Sequence, residues 1–171
     1  MSRAPALAAL LTLALCAPAL AAPPAPKMGI DSFAQLKTPL PYPYDEAANA
    51  DVAVARAKAR ARAQGKLLLI DLGGNWCGDC RILTATMDRP ELKAFLDRRY
   101  VLVLVDVGRF DRNLQIPAHY GITERLEGVP ALLVVDPRTD KLLDAGRVSA
   151  LEDARNMTPQ ALADWLAQWV N

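Results

Sequence analysis

Runs of apolar residues recur along the chain and predict the strands of a buried sheet. Three of them, residues 66–72, 100–107 and 131–135, are too uniformly apolar for strands with one face in water. A fourth strand is expected at residues 141–145. The intervening Asp-Pro-Arg-Thr-Asp sequence of residues 136–140 is typical of a turn, so the fourth strand would return as a hairpin.

Segments with helical patterns alternate with these strands. The predicted helices cover residues 49–64, 81–87, 91–99 and 113–120, with a last helix starting after Thr158. Gly65 is a suitable C-cap for the first helix, and Pro90 is expected to interrupt the helical run that follows residue 81. A helix followed by the order β-α-β-α-β-β-α predicts an α/β three-layer sandwich with a mixed central sheet.

Residues 1–21 have the pattern of a secretory signal peptide. Arg3 supplies a positive start, residues 6–15 are apolar, and Ala19-Leu20-Ala21 fits the small-x-small cleavage rule. The apolar stretch is too short to span a bilayer as a helix. We therefore expect an exported, periplasmic protein with no transmembrane segment in its mature chain. A lipid anchor at Cys16 is disfavoured, because Leu15 precedes it where lipoprotein signals carry a small residue.

The segment that follows, residues 22–45, is rich in proline. Proline lacks an N–H donor and fixes φ, so this segment is predicted to be an extended arm or tether rather than a packed helix or strand. The folded domain is expected to occupy residues 46–171.

The charge pattern argues against a nucleic-acid partner. The formal net charge is +1, and the one concentration of basic residues, at 56–62, alternates with alanine on a predicted helix. Such a run is typical of a solvated helix face, and no nucleic-acid-binding motif accompanies it.

The sequence Trp76-Cys77-Gly78-Asp79-Cys80 lies between a predicted strand and a predicted helix. A helix N-terminus favours a thiolate at the first cysteine, and the second lies one turn further in, within reach of a mixed disulfide. Signal cleavage would leave Cys77 and Cys80 as the two cysteines of the mature chain. A single C-x-x-C pair indicates reversible disulfide chemistry more than a stapled scaffold, although a permanent disulfide stays possible.

Metal and haem sites fit this motif poorly. A tetrahedral zinc site needs further cysteine or histidine ligands, and only His119 is available. A c-type haem site needs a histidine after the second cysteine, where this chain has Arg81. We expect no metal and no cofactor other than the Cys77–Cys80 disulfide itself.

These motifs resemble those of the thioredoxin-like family. The resemblance rests on Asp71, on residues 76–80, and on Gly128-Val129-Pro130 before a buried strand, and it extends over about residues 47–171. It implies a thioredoxin fold and a thiol–disulfide oxidoreductase.

By this resemblance, each motif residue has an expected role. Cys77 would attack the substrate disulfide, Cys80 would resolve the mixed disulfide, and a buried Asp71 would take the Cys80 proton. Pro130 would be a cis-proline that leaves the backbone of Val129 free to pair with substrate. Trp76 would offer substrate a platform. The alternatives are a trans proline, an exposed Asp71 and a Trp76 that only packs against the domain.

Three features depart from thioredoxin. Thioredoxin pairs its buried carboxylate with a lysine from the neighbouring strand, but residues 101–105 of this chain are all apolar. The pKa of Asp71 is therefore expected to be less well tuned for proton transfer. Asp79 replaces the usual proline, and its charge should raise the pKa of Cys77 and make the protein a reductant, other terms being equal. The stretch 108–128 is longer than in thioredoxin and either narrows partner choice or is a tolerated insertion.

Two hypotheses of different class follow. The first is an exported protein disulfide reductase that acts on protein thiols and disulfides and works as a monomer. A membrane thiol electron donor would reduce its disulfide again after each cycle. The alternative is a non-catalytic binding, redox-sensing or copper-holding module of the same fold. A soft cysteine pair can bind Cu(I), but no cluster of methionine or histidine accompanies it, since Met87 and His119 stand alone.

Overall fold

Four strands form one mixed sheet in a computed structural model that describes residues 23–170. In the order β2-β1-β3-β4, β1 is parallel to β2 and antiparallel to β3, and β3 is antiparallel to β4. The strands are β1 (Leu67–Gly73), β2 (Tyr100–Asp106), β3 (Ala131–Asp136) and β4 (Lys141–Leu142). The predicted signal peptide, with Cys16, lies outside the described residues.

Five α-helices surround the sheet within residues 23–170. They are α1 (Ala50–Gln64), α2 (Gly78–Met87), α3 (Pro90–Arg99), α4 (Gln115–His119) and α5 (Pro159–Ala167). Single 3-10 turns occur at Phe33–Gln35 and Ala154–Asn156. The predicted order of strands and helices and the three-layer α/β class are confirmed. None of these helices is long and apolar enough to cross a membrane.

Side chains of β1 alternate between two apolar clusters, and this alternation creates the three layers. Leu68 and Ile70 pack in the cluster that contains the buried face of α1, whereas Leu69 packs in the cluster that contains α3 and α5. All three side chains are fully buried. The uniform apolarity of the strand thus reflects helices on both of its faces.

Two element bounds differ from the prediction by three residues, and a side-chain hydrogen bond lies at each. Helix α2 begins at Gly78 rather than at residue 81, because the Sγ atom of Cys77 accepts a hydrogen bond from the Cys80 N–H and caps the helix. Strand β4 ends at Leu142 rather than at residue 145. There the Asp144 carboxylate accepts the hydrogen bond of the Val134 N–H at 3.0 Å, which further strand pairing would otherwise have used.

The described part of the proline-rich arm has one 3-10 turn and otherwise irregular backbone with several bends, and it lies against the domain rather than away from it. Met28, Ile30, Leu36 and Tyr44 are buried. Met28 packs in the α3–α5 cluster, and its N–H donates to Oε1 of Gln160 at 2.9 Å. The arm therefore contributes to the apolar core.

Replacing Met28 with alanine should destabilise the protein measurably, because a buried apolar side chain would leave a cavity. We expect the free energy of unfolding to fall by about 2 kcal/mol, measured by urea denaturation. The exposed Lys37 of the same arm provides the control, and Lys37→Ala should change the value little. Equal stability of the two variants would mean that the arm is a tether.

Candidate active site

Cys77 and Cys80 are joined by a disulfide at the start of α2. The N–H of Cys80 points at Sγ of Cys77 at 3.1 Å, in the position where it would stabilise a thiolate once the disulfide is opened. Cys77 is 5% exposed and Cys80 is fully buried. An incoming sulfur can therefore reach Cys77 and not Cys80.

Val129 and Pro130 lie directly beside Cys77. The Val129–Pro130 peptide bond is cis, and the carbonyl oxygen of Val129 lies 3.4 Å from Sγ of Cys77. Among the described residues, neither the N–H nor the C=O of Val129 pairs with another backbone group. An extended peptide could pair with both groups while its own sulfur meets Cys77.

Trp76 forms an exposed rim next to the disulfide. Its side chain is 42% exposed, although its Nε1–H donates to the carbonyl oxygen of Gly108 at 2.7 Å. The ring meets Phe110 edge to face at 6.1 Å, and the guanidinium of Arg109 lies 4.4 Å from the ring centroid. The start of the 108–128 stretch thus fixes Trp76 and forms part of the surface that surrounds the cysteine pair.

Asp71 is fully buried in β1. One carboxyl oxygen, Oδ1, accepts a hydrogen bond from the Tyr44 hydroxyl at 3.0 Å, whereas Oδ2 has no partner among the described residues. Burial raises the pKa of Asp71 to about 7, against the opposing effect of the Tyr44 hydrogen bond. Asp71 can therefore exchange a proton near neutral pH.

The end of β1 brings Asp71, Tyr44 and Cys80 together. A Cβ atom placed on Gly73 would lie 2.7 Å from Cζ of Tyr44 and 2.9 Å from Sγ of Cys80. Any side chain at this position would collide with both groups, so glycine is required there. The Tyr44 ring, hydrogen-bonded to Asp71, is therefore also a neighbour of the Cys80 sulfur.

Asp79 is ion-paired, which changes the expectation drawn from its charge. Arg155 donates to it from its backbone N–H at 2.8 Å and from Nε at 2.9 and 3.0 Å, with Nη2 completing a bidentate contact. Burial by itself would raise the pKa of Asp79, but the Arg155 hydrogen bonds and charge outweigh burial and lower it. Asp79 stays ionised, but the guanidinium offsets its field at Cys77, so Asp79 does not act on Cys77 as a lone charge.

His119 takes no part in this arrangement. Its side chain is exposed at the end of α4, and its Nε2 atom lies 2.9 Å from the Asp140 carboxylate. Within residues 23–170, no group of three or more histidine, cysteine or acidic side chains is placed to hold a metal ion.

Two residues at the site were missed by sequence reasoning. Tyr44 carries a weak signal, as an aromatic residue in an arm otherwise dominated by proline and small residues. Arg155 carries none, because 76 positions separate it from Asp79 and one arginine among many has no local pattern. Only the fold brings the two together.

The comparisons with known proteins agree with this geometry. The sequence profile of the thioredoxin-like family matches residues 48–137, more than half of the chain. A buried C-x-x-C disulfide at a helix start in a thioredoxin fold defines a thiol–disulfide oxidoreductase. The chain belongs to the thioredoxin-like family.

A disulphide isomerase from Xylella fastidiosa Temecula1 is similar in both sequence and structure. It is 35% identical, the match covers 75% of this chain and 97% of that protein, and the TM-score is 0.69. A Pseudomonas aeruginosa protein of unknown function is 24% identical over 71% of this chain and 86% of its own, with a TM-score of 0.38. No curated protein matches the chain.

Replacing Asp71 with asparagine should change how stability depends on pH. The ordinary aspartate pKa is 3.8, and in the folded protein it is raised to about 7. Between these values the unfolded state has lost the proton that the folded state still holds. The wild-type free energy of unfolding should therefore fall from about pH 4 to about pH 7 relative to Asp71→Asn.

At about pH 8 the Asp71→Asn variant should be more stable by up to about 4 kcal/mol, since each pKa unit corresponds to about 1.4 kcal/mol. Urea denaturation of the oxidised protein at several pH values measures the difference. Asp88→Asn, at an exposed aspartate, should follow the wild type. Parallel curves for wild type and Asp71→Asn would contradict a raised pKa.

Proposed function

We propose that this protein is an exported protein disulfide reductase that works through a reversible Cys77–Cys80 disulfide. The observation that carries the proposal is the buried Asp71, whose hydrogen-bond partner Tyr44 lies beside the Cys80 sulfur. Its pKa is set by burial and by the neutral Tyr44, with no contribution from a lysine or arginine. Such a site holds the general base that resolution of a mixed disulfide needs.

The catalytic cycle begins with the reduced protein. The Cys77 thiolate attacks one sulfur of a substrate disulfide, forming a Cys77–substrate bond and releasing the other substrate sulfur as a thiolate. Cys80 then gives its proton to Asp71 and attacks Sγ of Cys77. The Cys77–Cys80 disulfide forms, the second substrate sulfur leaves as a thiolate, and two electrons have passed to the substrate.

The substrate site is proposed to comprise Trp76, Val129 and Pro130. An extended segment of the substrate protein would pair with the unpaired N–H and C=O of Val129. The Val129 carbonyl oxygen lies 3.4 Å from the reactive Sγ of Cys77. The exposed face of Trp76 would contact the residues around the substrate disulfide. These contacts suit protein thiols and disulfides as substrates.

The charges around the sulfurs support the proposed reducing direction. A strong oxidant needs a stabilised thiolate. Here an ionised Asp71 would oppose a thiolate at Cys80, and Asp79 would oppose one at Cys77, with Arg155 offsetting part of the second effect. The net charge balance favours the disulfide over the dithiolate and so favours a reducing potential.

Export, and the need for a donor that reduces the Cys77–Cys80 disulfide again, are proposed from the sequence. Residues 1–21 have the signal-peptide pattern, and a periplasmic reductase must regain electrons in an oxidising compartment. A membrane thiol electron donor would supply them, acting on the same Cys77 that meets substrate.

Disulfide isomerisation is a second candidate, because the related Xylella fastidiosa protein is described as a disulphide isomerase. It uses the same Cys77 thiolate. In isomerisation the substrate's own thiol, rather than Cys80, resolves the mixed disulfide.

The reduction potential of the Cys77–Cys80 pair tests the direction of electron flow. We expect about −270 mV or lower, measured on residues 22–171 by equilibration with a thiol–disulfide buffer. Cys77→Ser should abolish reduction of insulin disulfides, and Cys80→Ser should accumulate mixed disulfides. A potential near about −120 mV would make the protein an oxidant, and cellular function unchanged by Cys77→Ser would favour the non-catalytic module.

Arg155→Gln and Asp79→Asn should change the Cys77 thiol in opposite directions. Losing the guanidinium leaves Asp79 unpaired and raises the pKa of Cys77, whereas losing the carboxylate lowers it, each by on the order of half a unit. The rate of iodoacetamide alkylation against pH measures this value in the reduced protein. Arg138→Gln, far along the sheet, is the control, and shifts of the same sign would contradict the electrostatic account.

A further inference from the structure

The end of the proline-rich arm is built into the active site. Two hydrogen bonds join Tyr44 to Asn75, the residue that precedes Trp76. The Tyr44 N–H donates to Oδ1 of Asn75 at 3.1 Å, and Nδ2 of Asn75 donates to the Tyr44 carbonyl oxygen at 2.8 Å. The backbone of Tyr44 is thereby fixed to the loop that carries the cysteine pair.

A second set of hydrogen bonds holds the arm from the C-terminal side of the C-x-x-C motif. Arg81, which directly follows Cys80, donates from Nε to the Pro41 carbonyl oxygen at 2.9 Å and from Nη2 to that of Leu40 at 2.8 Å. Its guanidinium lies 3.9 Å from the ring centroid of Tyr42. Residues on both sides of the C-x-x-C motif therefore hold arm residues 40–44 in place.

These hydrogen bonds direct the Tyr44 side chain into the protein. The ring is 3% exposed, its hydroxyl donates to Oδ1 of Asp71 at 3.0 Å, and it lies beside Cys80 at the end of β1. Burial and the neighbouring Asp71 raise the pKa of Tyr44 far above its ordinary value. The hydroxyl therefore keeps its proton and acts as a permanent donor to the carboxyl group.

We propose that Tyr44 is a positioning residue for the resolving step: its hydroxyl holds one oxygen of Asp71 and leaves the other free to take the Cys80 proton. This inference rests on the proposed disulfide exchange. The hydrogen bond favours the carboxylate, so Asp71 is a more available base with Tyr44 than without it.

Few other charged groups face the Tyr44–Asp71 pair. The Cys80 sulfur lies beside the Tyr44 ring, and Asp106, at the end of β2, adds to the rise in the pKa of Tyr44. Arg112 pairs with Asp106 at 3.0 Å. The neighbours of Asp71 across the sheet, Leu104 on β2 and Leu132 on β3, are apolar. The buried residues of α1 are alanine and valine, so that helix adds no charge.

Tyr44→Phe removes the donor and keeps the ring. One lost hydrogen bond to a carboxylate should raise the pKa of Asp71 by about one unit. Carbon-13 NMR of the Asp71 carboxyl in the oxidised protein measures this directly, without any turnover. Tyr42→Phe, at the exposed tyrosine of the same arm, should leave the titration unchanged.

The same variant should slow the resolving step. Reduced protein is mixed with the aromatic disulfide DTNB, and the second thiol released reports attack by Cys80 on the Cys77 mixed disulfide. For Tyr44→Phe we expect the pH midpoint of this phase to rise by about one unit and the rate at pH 7 to fall roughly fivefold. In an Asp71→Asn background, Tyr44→Phe should have no further effect on this rate.

The two measurements separate the possible failures. An Asp71 titration unchanged by Tyr44→Phe would overturn the positioning role, whatever the activity. A shifted titration with an unchanged resolving phase would also overturn it, because the carboxyl would then not serve Cys80. A wild-type protein that releases no second thiol would refute the proposed disulfide exchange, while the NMR titration would still report on the Tyr44–Asp71 bond.

Discussion

The burial of the Asp71 carboxyl group is the constraint on which the rest of the site depends. Asp71 lies on β1, an inner strand of the sheet that helices cover on both faces. An ionised group is strongly disfavoured there. Within residues 23–170, the one hydrogen-bond donor to the Asp71 carboxyl group is the Tyr44 hydroxyl, and no cation contributes to the pKa of Asp71. The result is a carboxyl group that changes its charge near neutral pH, hydrogen-bonded to a tyrosine that lies beside the Cys80 sulfur.

This constraint explains why the arm is folded onto the domain. The Tyr44 hydroxyl reaches Oδ1 of the buried Asp71 because the whole Tyr44 ring is enclosed, next to Cys80 and Gly73. Asn75 and Arg81 hold the backbone that presents it. Structural packing and the proposed chemistry therefore use the same contacts.

The surface of the site is shaped separately from its interior. Outside, the Val129 backbone and Trp76 surround the reachable sulfur of Cys77, and the first residues of the 108–128 stretch fix the Trp76 ring. Inside, the Tyr44 ring lies beside Cys80, and its hydroxyl is hydrogen-bonded to Asp71. The two sulfurs thus have different surroundings, which suits the proposed cycle of attack by Cys77 and resolution by Cys80.

The sequence by itself determined the order of strands and helices, the fold class and the position of the cysteine pair. These features depend on local periodicity, capping and turn chemistry, which neighbouring residues encode. The tertiary structure decided what surrounds each sulfur. Tyr44 reaches Asp71 across 27 positions and Arg155 reaches Asp79 across 76, so no local pattern could indicate either contact. A pKa depends on burial and on charges that are close in space, and only the folded chain defines both.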